Sequence, residues 1–124
     1  METELIEEYF ERGKNYIIFE KYVEAIEDLT KAIENFPDDE FHCEKLFMAY
    51  YARGVAYKKL KNYTDAMQDF EQALDFNSNS AETLENLGIC LQKLFGSDEA
   101  EWAFDLANAI ENGYNLRNYF RRRF

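Results

Sequence analysis

Few side chains in this sequence have the types and spacing that metal binding or catalysis requires. His42 and Cys43 are adjacent and could supply half of a zinc site, but the sequence has no second pair at the spacing of zinc ligands. Glu7 and Glu8 are neighbouring carboxylates, and we expect both on a solvated surface without a nucleophile or histidine as a partner. The sequence also lacks a glycine-rich phosphate loop and a serine nucleophile elbow. It therefore predicts a protein that is not an enzyme and that uses no metal or other cofactor.

The charge of the chain limits the class of partner. The 124 residues carry a net charge of −11, and 47% of them are hydrophobic, which predicts one small packed domain. Residues 113–124 contain four arginines and no acid, so the remaining residues combine 10 basic with 25 acidic side chains, a net charge of −15. Phosphate backbones require a basic surface. An acidic body therefore excludes nucleic acid as a partner and favours a basic protein or peptide.

The thiols and the N-terminal sequence indicate the compartment. Cys43 and Cys90 are the two cysteines, and the first ten residues, METELIEEYF, lack the basic and apolar regions of a secretory signal. No apolar run approaches the length of a membrane span. We therefore expect free thiols and a cytoplasmic protein.

A pattern of small and aromatic residues occurs three times in the chain. Each copy is centred on a glycine, and the intervals that follow the glycine are the same in all three. This spacing predicts a helix, a polar turn and a second antiparallel helix, with the small residues where the two helices cross closely. The three copies are Gly13, Tyr16, Ala25, Leu29 and Ala32; Gly54, Tyr57, Ala66, Phe70 and Ala73; and Gly88, Leu91, Ala100, Phe104 and Ala107.

The pattern resembles the tetratricopeptide repeat (TPR), a helix–turn–helix unit with a period of 34 residues. The resemblance covers about residues 6–114, although Arg12 and Arg53 stand where the family has leucine. It implies an all-α fold with the repeats stacked in a right-handed superhelical array. The single domain, 1–124, would contain repeats at about 6–39, 47–80 and 81–114 and a short C-terminal helix in the tail 115–124.

The helix boundaries follow from turn-forming and capping residues. Pro37 stops the second helix, and Ser80 is a good N-cap for the fifth. The second glycine follows the first by 41 residues, so seven residues are inserted at about 39–46. We expect this insert to add about two turns to the start of the third helix; a loop is the alternative. The other five helices are expected at 3–19, 22–35, 63–76, 81–94 and 98–111.

In the TPR family the first helices of successive repeats line a concave groove. By resemblance, its slots lie six and three residues before the glycine and one and four after it. The slots hold Glu7, Phe10, Lys14 and Ile17; Met48, Tyr51, Val55 and Lys58; and Glu82, Glu85, Ile89 and Gln92. The apolar strip consists of Phe10, Ile17, Met48, Tyr51, Val55 and Ile89, and Glu7, Glu82 and Glu85 flank it. This strip predicts a non-catalytic module that binds a peptide or helix with apolar anchors and basic flanks. Alternatively, some of these side chains, Val55 and Ile89 above all, pack between helices.

One well-known TPR ligand is the acidic C-terminal tail of a chaperone, which a carboxylate clamp of Lys, Asn, Asn, Lys and Arg holds. The matching slots here hold other residues, namely Phe10, Lys14, Ala52, Glu82 and Asn86. None of the five agrees with the clamp, and Glu82 has the wrong sign for a carboxylate ligand. The chain is therefore not expected to bind a chaperone tail.

The third repeat differs from the first two on its outer surface. Trp102 and Leu106 occupy slots that are polar in the other repeats, while Glu101 and Asn108 replace apolar residues that would face a following repeat. The tail then places Leu116, Phe120 and Phe124 at helical spacing. We expect Trp102 and Leu106 to be covered by this tail or by a second copy in a homodimer.

Two alternatives to a groove-binding module remain. Self-association through Trp102, Leu106 and the tail would make the protein a structural scaffold. The basic aromatic tail, RNYFRRRF, could instead attach the protein to an anionic membrane surface. The acidic body opposes that attachment, so we expect membrane binding less than binding to protein.

Overall fold

The computed structural model describes residues 1–113, and this part of the chain folds into six α-helices without a β-strand. In chain order they are α1 Thr3–Ile18, α2 Tyr22–Asn35, α3 Cys43–Lys59, α4 Tyr63–Phe76, α5 Ala81–Phe95 and α6 Ser97–Glu111. The helices pair as α1 with α2, α3 with α4 and α5 with α6, and the pairs stack through α2–α3 and α4–α5. The all-α fold class is confirmed. The short C-terminal helix predicted in the tail 115–124 lies outside the described residues.

The paired helices touch where the sequence has glycine. A Cβ added at Gly54 would lie 2.8 Å from Cε1 of Phe70, a ring that is fully buried between the helices. The first and third repeats have the same arrangement, with Leu29 against Gly13 and Phe104 against Gly88. The predicted close crossing of the two helices is therefore present in every repeat.

The seven-residue insert is part loop and part helix. Residues 39–42 form turns, and residues 43–46 add about one helical turn to α3 instead of the predicted two. The Asp39 carboxylate accounts for this later start, because it accepts the backbone N–H two residues later at 3.0 Å and lies 2.6 Å from His42 Nδ1. These contacts hold an Asx-type turn in place of a helical one. The prediction that the insert is wholly helical is wrong for residues 39–42.

Left-handed backbone ends the first helix of the first two repeats. Glu20 has a φ of 60° and Lys61, at the same repeat position, a φ of 62°. Behind Lys61, the Asn62 N–H donates to the Tyr57 carbonyl at 2.9 Å and closes the end of α3. A residue with a Cβ is strained in this conformation.

Lys61→Gly is accordingly expected to raise the free energy of unfolding by about 0.5–1 kcal/mol. Glycine removes a steric cost of about 1–2 kcal/mol from the folded state. Part of this gain is offset because glycine also increases the conformational entropy of the unfolded chain. Urea unfolding measures the difference. Lys59→Gly, two residues earlier at the last residue of α3, is the control and should lower stability. A Lys61→Gly variant no more stable than wild type would contradict the strain.

Candidate functional site

A side-chain network joins α3 and α5 in the centre of the groove. The Asn86 amide donates to the Tyr51 hydroxyl at 3.3 Å and to the backbone carbonyl of Glu82 at 2.9 Å. The Lys58 ammonium donates to the side-chain oxygen of Asn86. Asn86 is buried, with 8% exposure, and it was not predicted to belong to the apolar strip. It therefore connects Tyr51 and Lys58, both on α3, to α5 of the next repeat.

Tyr51 is a groove residue that its neighbours hold in place. Its ring stacks on Phe47, with 6.2 Å between ring centroids, and tilts against Phe70 at 5.9 Å. Burial, followed by a hydrogen bond with the Glu82 side chain, raises the pKa of the Tyr51 phenol. The phenol is therefore neutral and half-buried. Such a preordered side chain loses little conformational entropy when a ligand packs against it.

Lys58 takes part in this network as a hydrogen-bond donor. Burial, followed by the charge of Lys59, lowers the pKa of Lys58. Beside it, burial raises the pKa of the Cys90 thiol to about 11, so this cysteine is unreactive near neutral pH. Because the Lys58 ammonium donates to Asn86, it does not form a cationic clamp at this position.

The expectation that Phe10 lies open in the groove is wrong. Its side chain is only 2% exposed, and its ring meets Phe36 edge-on with centroids 5.5 Å apart. The Lys14 ammonium covers the same ring at 4.3 Å from its centroid. Phe36 lies just before the proline that follows α2. The matching residue of the second repeat is Asn77, so no aromatic ring from this position covers Tyr51, the residue that matches Phe10.

Several other strip residues serve both the core and the groove. Ile17 and Met48 are half-buried against the core of the first repeat, and Val55 is half-buried against the core formed by the second and third repeats. Ile89 is also half-buried. These partly exposed side chains form a floor for the groove, and the inter-helix packing that was the alternative for Val55 is present.

The two ends of the groove differ in charge. Glu7 forms an ion pair with Lys45, a residue that the insert adds to the start of α3. Lys14 lies 3.2 Å from Glu11. At the other end Glu82 is exposed, and Glu85 lies beside a further acid, Glu111 of α6. The acidic character predicted for both flanks is therefore concentrated at the α5 end.

An apolar pocket opens where the insert meets the end of α4. Its volume is about 380 Å³, and it is lined by Met48 and by Phe47, whose ring stacks on Tyr51. The other lining residues are Cys43, Glu44, Phe76 and Asn77. Cys43 and Glu44 belong to the helical turn that the insert adds. The pocket is large enough for an aromatic or branched aliphatic side chain.

Ion pairs inside the repeats were missed by the sequence reasoning. Arg53 donates two hydrogen bonds to Asp69, at 2.7 and 2.8 Å, and a third to the Thr30 hydroxyl of the preceding repeat at 3.1 Å. Arg12 makes the same bidentate pair with Asp28. A signal existed, since both arginines stand one residue before the glycine and both aspartates fifteen after it.

The third repeat replaces this whole group with apolar residues. Each arginine of the first two repeats lies between two tyrosine rings, with Tyr50 and Tyr57 at 5.6 and 5.9 Å from Arg53. At the matching positions the third repeat has Leu84, Leu87, Leu91 and Ala103, all of them buried. The third repeat thus differs at all four positions together: leucine and alanine replace the ion pair, and two further leucines replace the tyrosines.

The candidate self-association surface is partly exposed. Trp102 is 49% exposed, and Leu106 is half-buried against the small core cluster that contains Leu84 and Ala107. The remaining predicted members of this surface, Leu116, Phe120 and Phe124, lie outside the described residues.

The crowded carboxylates at the α5 end give a pH-dependent prediction. The hydrogen bond with Glu111, followed by burial, raises the pKa of Glu85. A raised pKa in the folded state stabilises the fold at low pH, and this contribution is lost as the pH rises through the folded pKa. Glu85→Gln should therefore unfold at a higher temperature than wild type near neutral pH and lose this advantage at about pH 4, where glutamate is largely protonated.

Glu111→Gln should give the same gain, and combining the two substitutions should add little, because each alone removes the repulsion. Thermal unfolding followed by circular dichroism at the two pH values measures these differences. An advantage of equal size at both pH values would show that the carboxyl pair is not its source.

Comparison with known proteins agrees with this architecture. Residues 47–80 match the family model of the tetratricopeptide repeat. The MamA MSR-1 structure in its C2 form aligns with a TM-score of 0.76 at 23% identity, covering 86% of this chain and 57% of that chain. MamA AMB-1 aligns with a TM-score of 0.74 at 23% identity, covering 87% and 55%. The chain spans a little over half the length of these MamA chains, and no curated protein sequence matches it.

The stacked helix pairs show that this is an all-α helical-repeat protein. More narrowly, its second repeat, residues 47–80, matches the tetratricopeptide repeat, and the helix pairs on either side have the same helix–turn–helix arrangement. Folds of this kind support binding to protein partners. Within residues 1–113, none of the helices combines the length and the apolar character needed to cross a membrane.

Proposed function

We propose that the protein is a non-catalytic interaction module whose groove, between α3 and α5, binds a peptide or helix with apolar anchors and basic flanks. The observation that carries this proposal is the adjacency of Tyr51, fixed by Asn86, to the apolar pocket at Phe47 and Met48. A rigid aromatic beside an open apolar pocket is typical of the central contacts that dominate peptide binding.

Charge supports basic flanks on the ligand. Glu82 and Glu85 lie at one side of Tyr51, and Glu44 lines the pocket at the other. Lys14 and Lys58, the cations of the groove, already contact Glu11 and Asn86. A ligand with Lys or Arg on either side of its apolar anchor would therefore meet uncompensated carboxylates, and an acidic chaperone tail would be repelled. We place this binding in the cytoplasm, since Cys43 and Cys90 are free thiols.

A selection experiment tests the proposal without a known partner. A random peptide library is displayed against the immobilised full chain, with elution by salt and by denaturant. The expected result is enrichment of peptides that carry an aromatic or aliphatic anchor within a few residues of Lys or Arg. Selection against a Tyr51→Ala chain is the matched control and should lose these peptides. Enrichment of acidic peptides, or the same peptides on both chains, would contradict the proposal.

Self-association is the second candidate function, and the exposure of Trp102 favours it. Light scattering of the full chain over a range of concentrations distinguishes a dimer from a monomer. Attachment to membrane surfaces through the basic tail is a third possibility, and co-sedimentation with anionic liposomes tests it. Binding of the wild-type chain to such liposomes at physiological salt would favour this role over the groove.

A further inference from the structure

The first helix, α1, exposes positions that α3 buries. In α3 the residues eight and five positions before the repeat glycine are Leu46 and Ala49, with 4% and 0% exposure. Both belong to the core that α1, α2 and α3 share. The matching residues of α1 are Leu5 and Glu8, and both are exposed. This side of α1 is therefore open to a further contact.

Four residues on the open side of α1 follow one another at the spacing of helix packing. They are Leu5, Glu8, Arg12 and Asn15, and all four are exposed. Successive intervals of three, four and three residues keep side chains on one side of a helix. The four residues, which we name the α1 stripe, line an open cleft of about 460 Å³.

The two charged residues of the α1 stripe have unused bonding capacity. Arg12 donates to Asp28 through Nε and Nη2. In the second repeat the remaining nitrogen, Nη1 of Arg53, donates to the Thr30 hydroxyl at 3.1 Å. Among residues 1–113, Nη1 of Arg12 has no acceptor and Glu8 has no ion-pair partner. The stripe therefore offers a donor and a carboxylate on the same face.

We propose that two copies of the chain form a homodimer by packing their α1 stripes antiparallel across a two-fold axis. The stripe is symmetric about position 10, because Leu5 and Asn15 lie five residues on either side of it and Glu8 and Arg12 two residues. An antiparallel copy therefore places the partner's Arg12 opposite Glu8 and the partner's Asn15 opposite Leu5. Each contact occurs twice, as in any interface of two identical faces.

Charge complementarity favours a second copy in this orientation. Glu8 gives the free N–H of the partner's Arg12 a carboxylate acceptor, in place of the hydroxyl that Arg53 uses inside the array. A parallel copy would instead set Glu8 against Glu8 and Arg12 against Arg12, which is repulsive. The α1 stripe belongs to the first helix pair and Trp102 to the last, so this contact is separate from the candidate surface at Trp102.

Apolar side chains close both ends of the proposed contact. Leu5 is 40% exposed, and Phe19, four residues after Asn15, is 70% exposed. The Phe19 N–H donates to the Asn15 carbonyl at 3.1 Å, so Phe19 continues the helical path of α1. In the antiparallel pair it lies within about one helical turn of the partner's Leu5. These apolar contacts limit the access of water to the two ion pairs between them.

Sedimentation velocity of the full chain at physiological salt tests the dimer. One helix from each copy makes a small interface, so we expect a weak dimer whose fraction rises with protein concentration. Glu8→Arg sets two arginines opposite each other and should weaken the dimer by about 30-fold or more. Glu27→Arg, the same charge change at an exposed position of α2, is the matched control and should dimerise like wild type. Circular dichroism checks that each variant is folded.

Cross-linking tests the antiparallel register. Leu5→Cys and Asn15→Cys chains, both with Cys43→Ser, are mixed and treated with a short bis-maleimide, while the buried Cys90 is left in place. Position 5 of one copy lies opposite position 15 of the other, whereas the same position in two copies is separated by about 15 Å along the helix. The mixture should therefore cross-link much faster than either chain alone.

The proposal is overturned if the wild-type chain sediments as a monomer at every concentration. It is also overturned by a dimer of equal strength in wild type and Glu8→Arg, and loss of that dimer in Trp102→Ala would assign the contact to the other surface. Cross-linking of Leu5→Cys with itself as fast as in the mixture would contradict the antiparallel register.

Discussion

Asp69→Ala is expected to lower the free energy of unfolding by about 3–5 kcal/mol, the usual cost of leaving one charge of a buried pair without its partner. The Asp69 side chain is 5% exposed and that of Arg53 is 17% exposed, so the arginine cannot turn to water without opening the junction between the first two repeats. Urea unfolding of the full chain measures the loss.

The first repeat supplies the matched comparison. Asp28→Ala removes the same bidentate partner from Arg12, but the Arg12 side chain is 57% exposed. Water can solvate the freed guanidinium, and the expected loss is about 1 kcal/mol. If the two alanine variants lost equal stability, burial would not be what makes the Arg53 pair costly to break.

The third repeat also predicts a rescue. Its residues at the two positions of the pair are Leu87 and Ala103. Arg53→Leu combined with Asp69→Ala should therefore be more stable than either single variant, because no buried charge remains. A double variant whose loss in free energy of unfolding equals the sum of the losses of the two single variants would contradict this expectation.

Gly54→Ala is the second substitution with a large expected effect, a loss of about 1–3 kcal/mol. The new Cβ would lie 2.8 Å from Phe70 Cε1 and 3.0 Å from Cδ1. Phe70 is fully buried and contacts Tyr51, so it cannot move without disturbing the groove. Asn15→Ala, at an exposed helical position, is the control and should change stability by less than about 0.5 kcal/mol. A Gly54→Ala variant as stable as wild type would mean that the helices separate easily.

The positions of the helices could be predicted because they depend on local and periodic signals. The expected helices at 22–35 and 63–76 agree with α2 and α4. The Ser80 hydroxyl caps α5 as predicted, accepting the Thr83 N–H at 3.2 Å. These features follow from residues close in sequence, or from intervals that repeat along the chain.

The groove was predicted less well because its surface depends on contacts outside the repeat. Phe10 is covered by Phe36, a residue just before the loop, and the family slots assign no role to that position. Lys45 neutralises Glu7 only because the insert extends α3 by one turn. The Asn86 network joins residues 28 and 35 positions apart in sequence. Side-chain pairing over such distances is not encoded in the spacing of apolar residues.

We propose that the groove around Tyr51 binds a basic peptide with an apolar anchor. A calorimetric titration of the best peptide from the library selection measures this binding in wild type, Tyr51→Ala and Gln68→Ala. Gln68 is an exposed residue of α4 and serves as the control. We expect Tyr51→Ala to weaken the Kd by about 30-fold, the equivalent of about 2 kcal/mol, while Gln68→Ala binds like wild type. A Tyr51→Ala chain that remains folded and binds within about twofold of wild type would contradict the account.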